Sequence, residues 1–275
     1  MEAFWWGLLA ASSLVIGGLL ALWFRVRSRT LGLVMAFGAG VLISAVAFEL
    51  VEEAIDTAGG IRAVAAGLFA GSLVFYAGDF LIDRMGGAER KSPHPSTAVP
   101  GTAGTGTAAM GTVAAGTVAT GTAAAGTVAA GRVAGHAIVL GIVLDGIPES
   151  IVIGLTLVAG GKVGAAMVVA VFLSNLPEAI AATTGLSASG WSRQRILALW
   201  ALVAAVSALS SAAGYAFFGD VAPGTVAFVL GFAGGAILTM LADTMMPEAF
   251  EHGGRLVGVI TTFGFATAVA VDAFS

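Results

Sequence analysis

The chain has 275 residues, of which 58% are hydrophobic and only 10% are charged, and its formal net charge is −4. This composition is far more apolar than that of a water-soluble domain, which excludes an ordinary soluble fold. Because the chain contains no cysteine, disulfides, thiolate metal sites and thiol redox chemistry are excluded as well.

Eight apolar runs along the chain predict eight membrane-spanning helices. Each run is close to the ~20 residues that a helix needs to cross ~30 Å of hydrocarbon. The runs are too long for the strands of a membrane barrel and lack their alternation of polar and apolar residues. In chain order the predicted spans are 4–24, 32–55, 62–83, 136–159, 163–187, 195–218, 224–249 and 255–274.

The distribution of Lys and Arg predicts how these spans cross the membrane, because cytoplasmic loops are enriched in basic residues. With both termini outside, only Arg62 and Lys162 fall on the outer side. The inner side then carries Arg25, Arg27, Arg29, Arg84, Arg90, Lys91, Arg132, Arg193, Arg195 and Arg255. We therefore expect an integral protein of the plasma (inner) membrane with both termini outside.

Residues 86–135 separate the third and fourth spans and repeat glycine every five residues from Gly106 to Gly131. A five-residue period matches no helix-packing pattern, and each glycine costs a helix about 1 kcal/mol relative to alanine. We predict a low-complexity cytoplasmic loop here, within a single transmembrane domain of residues 1–275. The alternative, an additional span, would reverse the orientation of every later helix.

A weak internal repeat relates the second and seventh spans. Residues 37–43 (FGAGVLI) align with residues 232–238 (FAGGAIL), and the same offset places Glu53 on Glu248. The two spans are predicted to cross the membrane in opposite directions, so this repeat would be inverted, as in many secondary transporters. The predicted fold class is an all-α polytopic membrane protein with eight transmembrane helices in a 3+2+3 arrangement, with an inverted repeat.

Two Pro-Glu motifs occupy the fourth and fifth spans, at residues 144–150 (LDGIPES) and residues 174–179 (SNLPEA). A carboxylate at bilayer depth costs a few kcal/mol or more, which makes each motif a candidate functional site. The alternative is structural: the prolines only kink their helices, and each glutamate is held by one hydrogen bond. Two such motifs in consecutive spans favour the functional interpretation.

Five side chains in these motifs are candidate metal ligands. Asp145 and Glu149 are four residues apart, as are Ser174 and Glu178, and Asn175 lies three residues before Glu178. Each motif proline lacks an N–H and would also free a carbonyl oxygen one turn earlier. Adjacent carboxylates repel unless a cation or a proton neutralises them, and an all-oxygen set suits hard divalent cations such as Mg²⁺ or Mn²⁺.

Further carboxylates lie in the second and seventh spans, at Glu49, Glu53, Asp243 and Glu248. Glu49 and Glu53 share a helix face because they are four residues apart. We expect the four residues to lie towards the outer ends of their helices, where they would form an entrance that concentrates cations. For the second span, a merely solvated helix end is an equally simple explanation.

The eight spans, the long loop and the two Pro-Glu motifs resemble those of the ZIP (Zrt/Irt-like protein) family of divalent metal transporters. In that family the fourth span typically reads His-Asn-x-Pro-Glu-Gly, and the fifth reads His or Gln, Asn or Asp, x, Pro-Glu. These family residues form a binuclear metal site. The family's second-span motif, His-x-x-Pro-Glu, would fall on residues 49–53 (ELVEE).

Carried across, the resemblance implies metal positions at Asp145, Glu149, Ser174, Asn175 and Glu178, while Gly146 has no side chain to offer. Both motif histidines of the family are replaced here, by Asp145 and Ser174. The resemblance therefore implies the fold and a metal site, and the replaced histidines leave the identity of the metal open.

From these motifs we expect a secondary transporter that moves divalent cations such as Zn²⁺, Mn²⁺ or Fe²⁺ into the cytoplasm as substrates. A Walker A motif is absent from the sequence, so direct ATP drive is not expected. The expected partners are the cations and the lipid bilayer, with a homodimer allowed and with neither an organic cofactor nor nucleic acid. The alternatives are a non-transporting membrane metal sensor or scaffold and, less favoured because the three histidines are scattered, an intramembrane metallohydrolase. We expect no enzymatic activity.

Overall fold

The computed structural model describes residues 1–24, 26–58, 60–84, 139–143, 146, 148–158, 165–219 and 221–273. Within these ranges the chain is helical and contains no strand, as the sequence predicts. The loop predicted over residues 86–135 and the candidate ligand Asp145 lie outside the described residues.

Ten α-helices are found in the described ranges, and two π-helical segments interrupt them. Val46–Glu52 joins α2 to α3, Leu241–Met245 joins α8 to α9, and a 3-10 turn, Gly254–Leu256, leads from α9 to α10. The helices are α1 Glu2–Trp23, α2 Ser28–Ala45, α3 Glu53–Ala58, α4 Ile61–Ile82, α5 within Val139–Val158, α6 Ala165–Ala188, α7 Arg193–Phe218, α8 Pro223–Met240, α9 Met246–Gly253 and α10 Val257–Ala273.

Seven helical stretches of the described chain are long and apolar enough to cross a membrane. The sequence predicts eight, and the difference arises because the last two predicted spans form one helical run, Pro223–Val271, of 49 residues. Inside this run Gly254 has a φ of +65°, a left-handed value that favours glycine and commonly ends a helix. α9 therefore ends at Gly253, and α10 beyond it packs on α2.

The helices pack in two groups. α1 packs on α6 and α7, and Gly154 of α5 lies against the backbone carbonyl of Ser211 in α7. In the second group α4 packs on α8, while α2 packs on α9 and α10. The packing of α2 on α6 joins the two groups, so the Pro-Glu motif of α6 belongs to a helix at their junction.

Glycines bring the backbones of crossing helices into direct contact. A Cβ on Gly71 of α4 would overlap the carbonyl oxygen of Phe232 in α8, and a Cβ on Gly264 of α10 would overlap that of Phe37 in α2. Small residues at such crossings allow the close packing on which helix association in lipid depends. The two crossings use glycine in the same way, which points to a relation between them.

That relation is the internal repeat, and it extends to the helix boundaries. An offset of 195 residues carries α2, Ser28–Ala45, onto α8, Pro223–Met240. The same offset carries Val46, the first residue of one π segment, onto Leu241, the first residue of the other. The packing follows the repeat as well, because α4 crosses α8 while α10 crosses α2.

The repeat-related helices run antiparallel. Gly32, near the start of α2, lies against Gly253 at the end of α9, whereas Gly38, further along α2, lies against Met245. Residue numbers therefore rise along α2 in the direction in which they fall along α8 and α9. This direction decides at which end of the molecule each acidic residue lies.

Candidate functional site

The motif of α5 buries a carboxylate behind a proline. Glu149 is 1% exposed, and Ser150 next to it is buried as well. The Ser150 hydroxyl donates a hydrogen bond of 2.6 Å to the carbonyl of Gly146, which ties down the helical turn that contains Pro148. The glutamate is therefore held on a fixed turn inside an apolar helix.

The motif of α6 exposes a backbone oxygen to α2. Pro177 lies inside α6 and has no N–H, so the carbonyl of Leu173 lacks its usual helical donor. A Cβ on Gly38 of α2 would lie 3.2 Å from this carbonyl oxygen and 3.2 Å from the terminal methyl of Met245. Glycine at position 38 thus lets α2 approach the carbonyl that the proline leaves without a helical partner.

Three polar side chains accompany Pro177 in α6. Ser174 and Asn175 are buried, whereas Glu178 is half-buried. The Ser174 hydroxyl donates to the carbonyl of Val171 at 3.1 Å, so its oxygen keeps lone pairs that can accept a hydrogen bond or bind a cation. As ligands for a cation, these three side chains offer oxygen atoms.

α1 and α7 fix the positions of the two motif helices. Gly17 of α1 lies against the Leu176 carbonyl, inside the α6 motif, and Gly7 of α1 lies against Ser211 of α7. The carbonyl of Ser211 in turn contacts Gly154 of α5. The motif helix α6 therefore packs on α1 and the motif helix α5 on α7, and α1 and α7 pack on each other.

Four of the five candidate ligands lie in the described part of the chain, and two of these four are carboxylates, Glu149 and Glu178. Among the described residues no three His, Cys, Asp or Glu side chains converge in a group that could hold a metal ion. The fifth candidate, Asp145, lies outside the described residues. A cation site built from described residues would therefore combine carboxylates with serine, amide or backbone oxygens.

The four predicted entrance carboxylates are not gathered at one end. Glu248 belongs to α9, which packs beside the first half of α2, while Glu49 and Glu53 follow the last residue of α2. The distance along the helix axis from Gly38 to Glu49 is roughly 16 Å at 1.5 Å per residue. Because the second and seventh predicted spans run antiparallel, residues near the C-terminal ends of both lie at opposite ends of the pair.

Asp243 is separated from the others in a different way. Its side chain is exposed and lines a groove on the outer surface between α4 and α8, together with Tyr76. Met245, two residues later, is buried and packs against Gly38 of α2. Successive helical positions point in different directions, so the π segment directs Met245 inwards and Asp243 outwards.

A third Pro-Glu motif is present, which the sequence pattern of the fourth and fifth spans did not lead us to predict as a site. Pro247 and Glu248 stand in α9, and Glu248 is 7% exposed. The signal was available in the sequence, because the same dipeptide occurs in the fourth and fifth predicted spans. Each of the three prolines precedes a carboxylate inside an apolar helical stretch, and two of the carboxylates, Glu149 and Glu248, are buried.

The two π-helical segments begin at equivalent places of the repeat, and each contains at least one acidic residue. Glu49 and Glu52 lie in the first segment and Asp243 in the second. Short π segments inside α-helices are rare and frequently mark functional sites. Pro247 follows the second segment closely, whereas the first contains neither proline nor glycine, so its sequence gives no local reason for the distortion.

No protein-family model matches the chain, and no curated protein sequence matches it. The assignment of a function therefore depends on the motifs and on their placement in the helices.

Proposed function

We propose that the chain is a secondary transporter of divalent metal cations, with its substrate site between the Pro-Glu motifs of α5 and α6. The observation that carries the proposal is the burial of Glu149, Ser174 and Asn175 within helices that are long and apolar enough to cross a membrane. Polar and ionisable groups at such depth are expensive and usually line an ion or substrate pathway.

The chemistry of the donors favours a hard or borderline cation. Glu149 and Glu178 supply negative charge, and Ser174 and Asn175 supply neutral oxygens. A divalent ion would neutralise both carboxylates at once, and an oxygen set binds Mn²⁺, Fe²⁺ and Mg²⁺ as well as Zn²⁺. We therefore propose a transporter of broad divalent selectivity rather than one strict for zinc.

The architecture we propose for the membrane has eight spans in a 3+2+3 arrangement. The break at Gly254 supports dividing the run Pro223–Val271 into two crossings, because 49 residues are more than twice the ~20 that one crossing needs. The antiparallel, repeat-related helices support an inverted repeat, in which α5 and α6 stand between two three-helix units. The excess of Lys and Arg on one side supports termini outside in a plasma membrane.

The resemblance to the ZIP family supports the same function. It depends on the paired Pro-Glu motifs, the long loop and the proposed span count, and the third Pro-Glu motif at Pro247 and Glu248 adds to it. The two histidines of the family pattern are absent here. Their absence favours, as a second candidate, a non-transporting membrane protein that senses metal or scaffolds a partner.

Uptake by the purified protein separates the two candidates. The chain would be reconstituted into liposomes and given Zn²⁺, Mn²⁺, Fe²⁺ or Mg²⁺ outside, with protein-free liposomes as the control. We expect saturable entry of at least two of these ions without ATP. Metal binding by the purified protein without any entry would instead support the sensor or scaffold.

A further inference from the structure

The groove between α4 and α8 has features that the proposed transport site does not use. It has a volume of about 630 Å³ and opens on the outer surface of the helix bundle. Its walls are mostly apolar and include Phe69, Leu73 and Leu238, while Tyr76 and Asp243 are its exposed polar members. An apolar groove on a membrane protein would ordinarily be filled by lipid, so the carboxylate is the feature that needs an explanation.

Among the described residues Asp243 makes no hydrogen bond and no ion pair. The hydroxyls nearby are engaged elsewhere, because Thr239 of α8 donates to Ser72 of α4 at 2.8 Å. A carboxylate that faces hydrocarbon without a partner costs several kcal/mol. A hydrogen-bond donor from outside the chain would remove this cost.

The register of α4 on α8 gives the depth of this carboxylate. Gly235 lies against Leu68, and Thr239 is bonded to Ser72, so each step of four residues along α8 matches four along α4. One further step places Asp243 level with Tyr76. Tyr76 precedes Arg84, at the polar end of α4, by a distance of roughly 12 Å at 1.5 Å per residue. Lipid head groups at the interface are too far away to pair with Asp243 directly.

α4 itself presents a donor at this depth. Tyr76 is 57% exposed and stacks on Phe80 with ring centroids 6.3 Å apart, and the Arg84 guanidinium lies 4.5 Å above the Phe80 ring. Phe69 and Leu73 continue the same exposed face towards the other end of α4. This face combines a phenol donor with large apolar side chains next to a groove that contains a carboxylate acceptor.

We propose that the groove is the interface between two copies of the chain, in which Tyr76 of each copy donates to Asp243 of the other. A two-fold axis along the membrane normal keeps every residue at its own depth, so the second copy brings Tyr76 to the level of Asp243. Because of the two-fold symmetry the dimer contains two equivalent Tyr76–Asp243 hydrogen bonds. Hydrogen bonds between helices are a recognised source of association in lipid. The pairing is independent of the transported cation.

Thiol cross-linking tests where the copies meet. Because the natural chain has no cysteine, a single introduced cysteine is the only thiol in the molecule. Leu73→Cys places this thiol on the proposed face of α4, and Leu209→Cys places it on α7 as a control. The two leucines are similarly exposed, Leu73 at 66% and Leu209 at 61%. In liposomes at high lipid-to-protein ratio, a short bismaleimide should couple two copies of Leu73→Cys and leave Leu209→Cys monomeric. Equal yields from the two variants, or dimers from neither, would overturn the proposal.

A conservative substitution tests the hydrogen bond. Tyr76→Phe removes two equivalent bonds from the pair and should raise the dimer dissociation constant in liposomes about tenfold. Tyr215→Phe, which alters an exposed tyrosine of α7, is the matched control and should leave the constant unchanged. An unchanged constant in Tyr76→Phe would overturn the proposal, as would a wild-type protein that stays monomeric with phospholipid bound in the groove.

Discussion

Gly71→Ala should weaken the packing of α4 on α8 substantially. The added Cβ would overlap the carbonyl oxygen of Phe232 and lie 2.7 Å from its carbonyl carbon and 3.0 Å from its Cα. All three atoms belong to the backbone, so no side chain can rotate away and the helices must separate. Overpacking of this kind costs about 1–3 kcal/mol, and we expect that loss in the free energy of unfolding.

The matched control is Gly258→Ala on α10, where a Cβ would meet nothing within 4 Å. Alanine is the better helix former by up to about 1 kcal/mol, so this variant should be neutral or slightly more stable than wild type. Equilibrium unfolding in mixed micelles measures both free energies. The reasoning is refuted if the two variants are equally stable.

Three further outcomes are expected. Gly264→Ala should lower stability about as much as Gly71→Ala, because its Cβ would meet the Phe37 carbonyl in the repeat-related crossing; a normal unfolding midpoint would contradict the equivalence of the two crossings. Deleting residues 98–130 should preserve uptake and orientation in liposomes, since a five-residue glycine period cannot supply a packed helix face; labelling that places this segment inside the bilayer would count against the topology. Asp145→His should move selectivity towards Zn²⁺ in competition uptake, because imidazole is a softer ligand than carboxylate; an unaltered ranking of metals would mean that Asp145 does not set selectivity.

Apolar run length was enough to predict most of the helices. The first predicted span, 4–24, corresponds to Glu2–Trp23 and the third, 62–83, to Ile61–Ile82, because continuous apolar sequence of this length has few other structures available. The last two predicted spans, 224–249 and 255–274, belong to one helical run that is broken at Gly254. The turn between them lies at one glycine, Gly254, whose positive φ is a conformation that glycine adopts without steric cost.

The candidate site was predicted in part. The Pro-Glu pattern identified Glu149, Ser174 and Asn175, and the structure buries all three, while their role as ligands stays a prediction. The shared entrance was not a sound inference, because residues at equivalent repeat positions of antiparallel helices lie at opposite ends. Only the register of α2 on α9, fixed by contacts such as Gly32 with Gly253, reveals this separation.

The π segments could not be predicted from the sequence pattern. Residues 46–52 (VAFELVE) read as ordinary helix, and their distortion is visible only in the three-dimensional arrangement.

The central claim is that a divalent cation crosses the membrane bound by Glu149 and Glu178. Its most direct test is the initial rate of Mn²⁺ uptake into liposomes by Glu149→Gln and by Glu178→Gln, which keep the side-chain shape and remove the charge. Glu251→Gln, at an exposed glutamate of α9, is the control. We predict that each site variant falls below about a tenth of the wild-type rate, since losing one charged ligand costs more than about 1.4 kcal/mol of cation binding, while the control transports normally. Normal rates in both site variants would contradict the claim.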